Sequence, residues 1–204
     1  GKGIVAAVVV AVLGTVGWQQ YQGFTESQTE AASDLYAAML ANHLGDGDPD
    51  ALASLATQLR DDHASSTYAR FGAMLEARIA VDAGDMTGAE AALRWALTAG
   101  DTGSDIGQLI QLRLARVLAD QGNETEALAI LAKGSSAYPV AYAQAEGDIH
   151  LAAGRPEAAL TAYRQGRDLA SDLGQYSVVL DNKVRTLETR LPSSSEDAPA
   201  EDAS

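Results

Sequence analysis

Two kinds of hydrophobic patterning divide the chain. From Ile4 to Val16 the positions are almost all apolar, and no charge appears before or at Tyr21 once Lys2 is passed. From Ala31 onward apolar residues recur at three- and four-residue intervals, broken by glycine beside a polar or charged residue. The first pattern predicts a single transmembrane helix, because Gly3 to Tyr21 spans roughly 28 Å at about 1.5 Å per residue, close to a hydrocarbon core of about 30 Å. Ile4, Val8, Val12 and Leu13 form its apolar body, and Trp18 and Tyr21 stand at headgroup level as an aromatic belt beside Gln19 and Gln20. A cleaved signal peptide and a buried core helix compete with this anchor. The first requires a small-x-small site where the bulky Trp18 and Tyr21 stand, and the second requires polar positions at helical spacing. Lys2 places the N-terminus in the cytoplasm by the positive-inside rule. Gly1 in place of Met carries the expectation of an upstream segment that has been removed.

The second pattern predicts helices joined by turns, and the turns repeat. Gly84, Gly122 and Gly154 each precede a polar or charged residue, at spacings of 38 and 32 residues. Seven residues before each stands a small residue (Ala77, Ala115, Gly147), five after each an alanine (Ala89, Ala127, Ala159), and nine after each a large residue (Leu93, Leu131, Tyr163). Antiparallel helices approach closely only where both carry small side chains, the glycine turns the chain between them, and the large residue fills the remaining groove. This register resembles the tetratricopeptide repeat. Pro139 falls at the consensus proline and is expected to end the second helix of the middle unit. A plain helical bundle is the competing architecture. The fold class is therefore all-α: an N-terminal single transmembrane helix (1–22), a tetratricopeptide-like α-solenoid (23–191) and a disordered acidic tail (192–204). The units are placed at about 31–62, 68–100, 107–138 and 140–172, with a capping helix at 175–191. The tail contains Glu196, Asp197, Glu201 and Asp202 and no apolar period.

Charge and composition narrow the function. The 204 residues contain 14 Lys and Arg against 28 Asp and Glu, a formal charge of -14. Such a chain with no local basic stripe is repelled by a phosphate backbone, which excludes nucleic-acid binding. Zero cysteines remove disulfides, thiol catalysis and thiolate metal sites. His43, His63 and His150 are scattered, with no pair at metal-binding spacing. Asp46 to Asp50 opens like a calcium loop, yet Ala51 holds the glycine position and Thr57 stands where the bidentate glutamate belongs. Asp48 before Pro49 is better read as a helix cap. No phosphate loop, dinucleotide fingerprint or nucleophile elbow occurs, so the expectation is a protein that is no enzyme, with no cofactor and no metal.

Solenoids bind through the concave surface lined by the first helix of each pair. The repeat register places Phe71, Met74, Arg78 and Val81 there in one unit, Leu109, Leu112, Arg116 and Ala119 in the next, and Ala141, Gln144, Asp148 and Leu151 in the third. An apolar groove with stacked arginines suits a peptide or helix bearing a carboxylate, which arginine holds through paired hydrogen bonds. The competing reading pairs Arg78 with Asp82 and Arg116 with Asp120 along a solvated helix face.

The order of features is similar to that of one known family. An anchor ending in Gly17-Trp18, the phrase Leu112 to Val117, the phrase Ala145 to Asp148 and a last helix near Asn182 to Leu187 resemble the YfgM-like family, the ancillary subunits of the bacterial Sec translocon. The resemblance implies a single-pass inner-membrane protein with its repeats in the periplasm. It implies association with the translocon channel subunits and with a membrane-anchored periplasmic chaperone of the prolyl-isomerase type, in the transfer and folding of secretory proteins. The alternative is a tetratricopeptide adaptor that organises cell-wall or outer-membrane assembly machinery.

Overall fold

The computed structural model describes residues 28–45 and 47–191, so the predicted anchor residues Ile4, Val8, Val12, Leu13, Trp18 and Tyr21 and the tail 192–204 lie outside the described residues. Nine helices and no strand occur among the described residues. They are α1 (28–44), α2 (Pro49–Asp62), α3 (Thr67–Asp82), α4 (Met86–Thr98), α5 (Asp105–Asp120), α6 (Glu124–Leu131), α7 (Pro139–Ala152), α8 (Pro156–Asp172) and α9 (Val178–Arg190). Among the described residues no helix is long and apolar enough to cross a membrane.

The architecture is a solenoid of helical hairpins. α3 packs on α4, α5 on α6 and α7 on α8; successive hairpins stack through α4 on α5 and α6 on α7, and α9 closes the array against α8. The three hairpin turns share one backbone solution. Gly84, Gly122 and Gly154 adopt φ of 79°, 82° and 70°, a left-handed conformation in which a Cβ is strained. The residue after each glycine donates its N–H back across the turn, Asp85 to the Ala80 carbonyl, Asn123 to Leu118 and Arg155 to His150, which satisfies carbonyls that the helix end leaves free. Asp85 also starts the next helix, its side chain accepting from the Gly88 N–H at 2.9 Å.

Between the helices, small residues set the approach. Ala77, Ala89, Ala115, Ala127 and Ala159 are buried, and Leu93, Leu131 and Tyr163 are buried with them. In the last hairpin the pairing is sharper, because a Cβ placed on Gly147 would collide with the Tyr163 ring. One apolar cluster runs continuously from α3 to α7. Separate smaller clusters seat α1 and α2 against Ala69 of α3, and α9 through Leu180, Val184 and Leu187 against Leu160 and Tyr163.

Two boundaries differ from the sequence reading. Pro139 does not end a second helix; α6 stops at Leu131, Gly134 follows at φ 73°, and Pro139 is the first residue of α7. Proline fits there because the first helical N–H has no partner to lose. The closing helix begins at Val178, since the Ser177 hydroxyl accepts from the Leu180 N–H at 3.3 Å and caps it. Asp48 caps α2, accepting from Asp50 N–H at 3.0 Å, with Pro49 at the first helical position.

Candidate partner-binding groove

The groove of interest crosses α3 and α5. Met74, Ala77, Arg78 and Val81 come from α3, Leu93 from α4, and Arg113, Arg116, Val117 and Asp120 from α5, around a volume of about 370 Å³. Its floor is apolar: Met74, Leu93 and Val117 are 6 %, 1 % and 5 % exposed. Its rim is cationic, with Arg78, Arg113 and Arg116 all exposed.

The three arginines differ in how they are used. Arg78 Nε donates to Asp82 Oδ2 at 2.8 Å, so this half of the solvated-face reading holds. The matching pair between Arg116 and Asp120 does not form, and Arg116 and Arg113 make neither an ion pair nor a hydrogen bond among the described residues. Arg113 was not singled out by repeat register, which steps from Leu112 to Arg116; it enters the groove because α5 turns about 100° per residue and brings i and i+3 to one face.

The other sequence-predicted groove residues are dispersed. Leu112 is buried in the main core and Met74 contributes floor rather than rim. Phe71 is half-buried in a ring cluster with Tyr36 and Tyr68, its centroid 5.8 Å from Tyr36 and 6.3 Å from Tyr68. Leu109, Ala119 and Ala141 are half-buried against the core, Gln144 is half-buried, and Leu151 is exposed. Asp148 is already engaged: Lys183 Nζ donates to its Oδ1 at 2.6 Å and the Tyr163 hydroxyl at 2.7 Å. That hydroxyl is held well above the ordinary tyrosine range by burial and by the Asp148 carboxylate.

Polar residues that the repeat register does not mark hold the scaffold around the groove. Arg70 of α3 is buried and caps the end of α4, donating from Nε to the Ala96 carbonyl at 3.1 Å and from Nη2 to the Asp101 carbonyl at 3.2 Å. Burial lowers its pKa, partly offset by Asp101. Gln108 of α5 is buried and ties two loops together, donating to the Gly103 carbonyl at 2.7 Å and accepting from Ala137 N–H at 3.1 Å and from the Ser135 hydroxyl at 2.6 Å. A second, wider cleft separates α1 and α2 from α4, walled by Leu52, Ile79 and Trp95. There Arg60 pairs with Glu76 and lies 5.3 Å from the centre of the Trp95 ring. Burial raises the Glu76 pKa against the opposing pull of Arg60. Among the described residues no group of three His, Asp or Glu side chains is arranged to hold a metal ion.

The chain is similar to known proteins over nearly its whole length. The family profile described as a tetratricopeptide repeat-like domain matches residues 1–189. A Haemophilus influenzae protein named ancillary SecYEG translocon subunit is 30 % identical over 177 residues, 86 % of this chain and 85 % of that one. An Aggregatibacter actinomycetemcomitans protein of the same name is 31 % identical over 175 residues, 85 % of this chain and 84 % of that one. No solved structure matches significantly.

Proposed function

This chain belongs to the tetratricopeptide repeat-like, YfgM-like family of ancillary SecYEG translocon subunits, and from that premise we propose that it is a non-enzymatic adaptor at the bacterial Sec translocon. Residues 1–22 are its single membrane anchor, with the N-terminus in the cytoplasm and the repeats of 23–191 in the periplasm. The anchor docks beside the channel subunits. The solenoid recruits a membrane-anchored chaperone of the prolyl-isomerase type, so that emerging secretory chains pass directly to a folding factor. The observation that carries the reading is the groove across α3 and α5, an apolar floor rimmed by arginines on a rigid repeat scaffold. Such a surface offers binding energy and orientation without any group positioned for bond chemistry.

The test is a mild-detergent pull-down of the full chain beside a form lacking residues 1–22, read by mass spectrometry. Recovery of SecYEG and a periplasmic chaperone with the full chain, and loss of SecYEG from the truncated form, is the expected result. Recovery of cell-wall or outer-membrane assembly proteins in their place would replace the translocon reading with the envelope-assembly one.

A further inference from the structure

Arg113 and Arg116 are out of keeping with the rest of the surface. The chain is acidic, with a formal charge of -14, and of its other helix-borne arginines all but Arg70, which bonds carbonyls, and Arg190 find carboxylates among the described residues. Arg94 bonds Glu90 and Glu126 at 2.7 Å, Arg155 reaches Glu124 at 2.9 Å, and Arg164 reaches Glu188 at 2.7 Å. Arg113 has no such option within its own helix, because the residues three and four positions away are Leu109, Ile110, Arg116 and Val117. Its neighbour on the same face is a second arginine, an i,i+3 pair of like charges that disfavours the helix. Arg78, across the groove, brings a third guanidinium, with its charge partly answered by Asp82. Asp120 also lines the groove but pairs with none of them.

We propose that this groove receives a partner segment in which an acidic side chain stands between large apolar ones. Arg113 and Arg116 hold the carboxylate, and Met74, Leu93 and Val117 take the apolar neighbours. The proposal rests on the adaptor reading above and names the chemical class of its partner. Guanidinium groups match a carboxylate in plane and in donor spacing, which a lone ammonium does not. An incoming carboxylate also relieves the repulsion between the two arginines. The apolar floor is broad enough for a few side chains, so recognition requires the charge and its flanking hydrophobes together. The groove is an open trough, and a carboxylate carried on a side chain leaves the backbone free to continue along it in both directions.

The experiment uses the full chain in mild detergent and a fluorescein-labelled, amidated peptide of alternating leucine and glutamate, with fluorescence anisotropy as the readout. The control peptide has glutamine at every glutamate position. The glutamate peptide is expected to bind at least about tenfold more tightly, the size of effect that one charge-assisted contact supplies. Arg113→Gln with Arg116→Gln should abolish that preference while leaving thermal unfolding unchanged. Arg113→Glu with Arg116→Glu should transfer it to a leucine-lysine peptide. Equal affinity for the two peptides, binding of neither, or a preference that survives the double glutamine variant overturns the proposal. So does tighter binding of a leucine peptide whose only carboxylate is its C-terminus. Failure here with SecYEG still recovered in the pull-down removes the groove chemistry and keeps the adaptor. Arginine-dependent peptide binding with no SecYEG recovered does the reverse.

Discussion

One register position, six residues before the turn glycine, holds Arg78, Arg116 and Asp148 in three successive units, and the molecule treats the units in opposite ways. In the last unit the charge is consumed: Asp148 accepts from Lys183 of α9 and from Tyr163 of α8, so three helices meet on one carboxylate. In the first two units the charge is left at the surface, paired only locally at Arg78 and without a partner among the described residues at Arg116. The lesson is that equivalent positions in a repeat serve stability where a closing helix arrives and remain available for binding where none does. Terminal units of a solenoid must satisfy their exposed face, and interior grooves need not.

The sharpest way to break the contrast is at Gly147. Ala77 and Ala115 share a core with Leu93 and Leu131, whereas the larger Tyr163 is matched by a glycine. Gly147→Ala should therefore destabilise by about 3 kcal/mol, since the added methyl meets a rigid, fully buried ring. A urea midpoint equal to that of the parent would show that α7 and α8 are not this close. Adding Tyr163→Leu to Gly147→Ala recreates the pairing of the other units and should recover part of the loss, a coupling measurable as a double-mutant cycle.

A smaller effect is expected at the turns. Gly122→Ala forces a Cβ into φ 82° and should cost about 1 kcal/mol, while Gly103→Ala, outside those turns and with room for a Cβ, tests the specificity of the effect to left-handed backbone. Equal losses at both sites would remove the conformational explanation.

Tyr163 gives the stabilising seam a pH signature. Its folded pKa lies above the unfolded value of 10.0, so the folded state keeps its proton where the unfolded state has lost it. Stability is then fully present below pH 10 and declines as pH rises beyond it, by at most about 1.4 kcal/mol per pH unit. Tyr163→Phe should flatten that alkaline limb and cost about 1 kcal/mol at neutral pH for the lost hydrogen bond to Asp148. An alkaline slope identical to the parent's would mean that another group carries it.

The smallest stability effect should come from the groove itself. Arg113→Gln and Arg116→Gln each remove an exposed charge that has no partner among the described residues and should change stability by less than about 0.5 kcal/mol. A large loss in calorimetry would mean that the arginines hold the fold, and the contrast between the two regions would disappear.

Much of the solenoid was legible in the chain because its determinants are local. A glycine at a turn needs only its own backbone freedom, and a buried alanine stripe follows from helical spacing. Asp48 before Pro49 is readable as a cap for the same reason. The groove was less legible. Register names Met74, Arg78, Val81 and Arg116, which line one trough, but it also names Leu112, which is in the core, and Asp148, which is already bonded. It passes over Arg113, one residue off the repeat position. Arg70 and Gln108 share one register position, fourteen residues before Gly84 and Gly122, but their roles are not legible there, since most of their partners are backbone and loop groups from distant segments.

Composition, helical periodicity and the spacing of glycine and alanine by themselves determined an all-α repeat with its turns in place, because each of those signals acts within a few residues. Which charges are satisfied was decided only in three dimensions. Arg116 and Asp120 have the same spacing as Arg78 and Asp82, yet only the latter pair closes. Asp148 meets its cation, Lys183, 35 residues later, only because the packing of α9 brings the two together. A charge acts through distance in space, and that distance is set by how the helices pack.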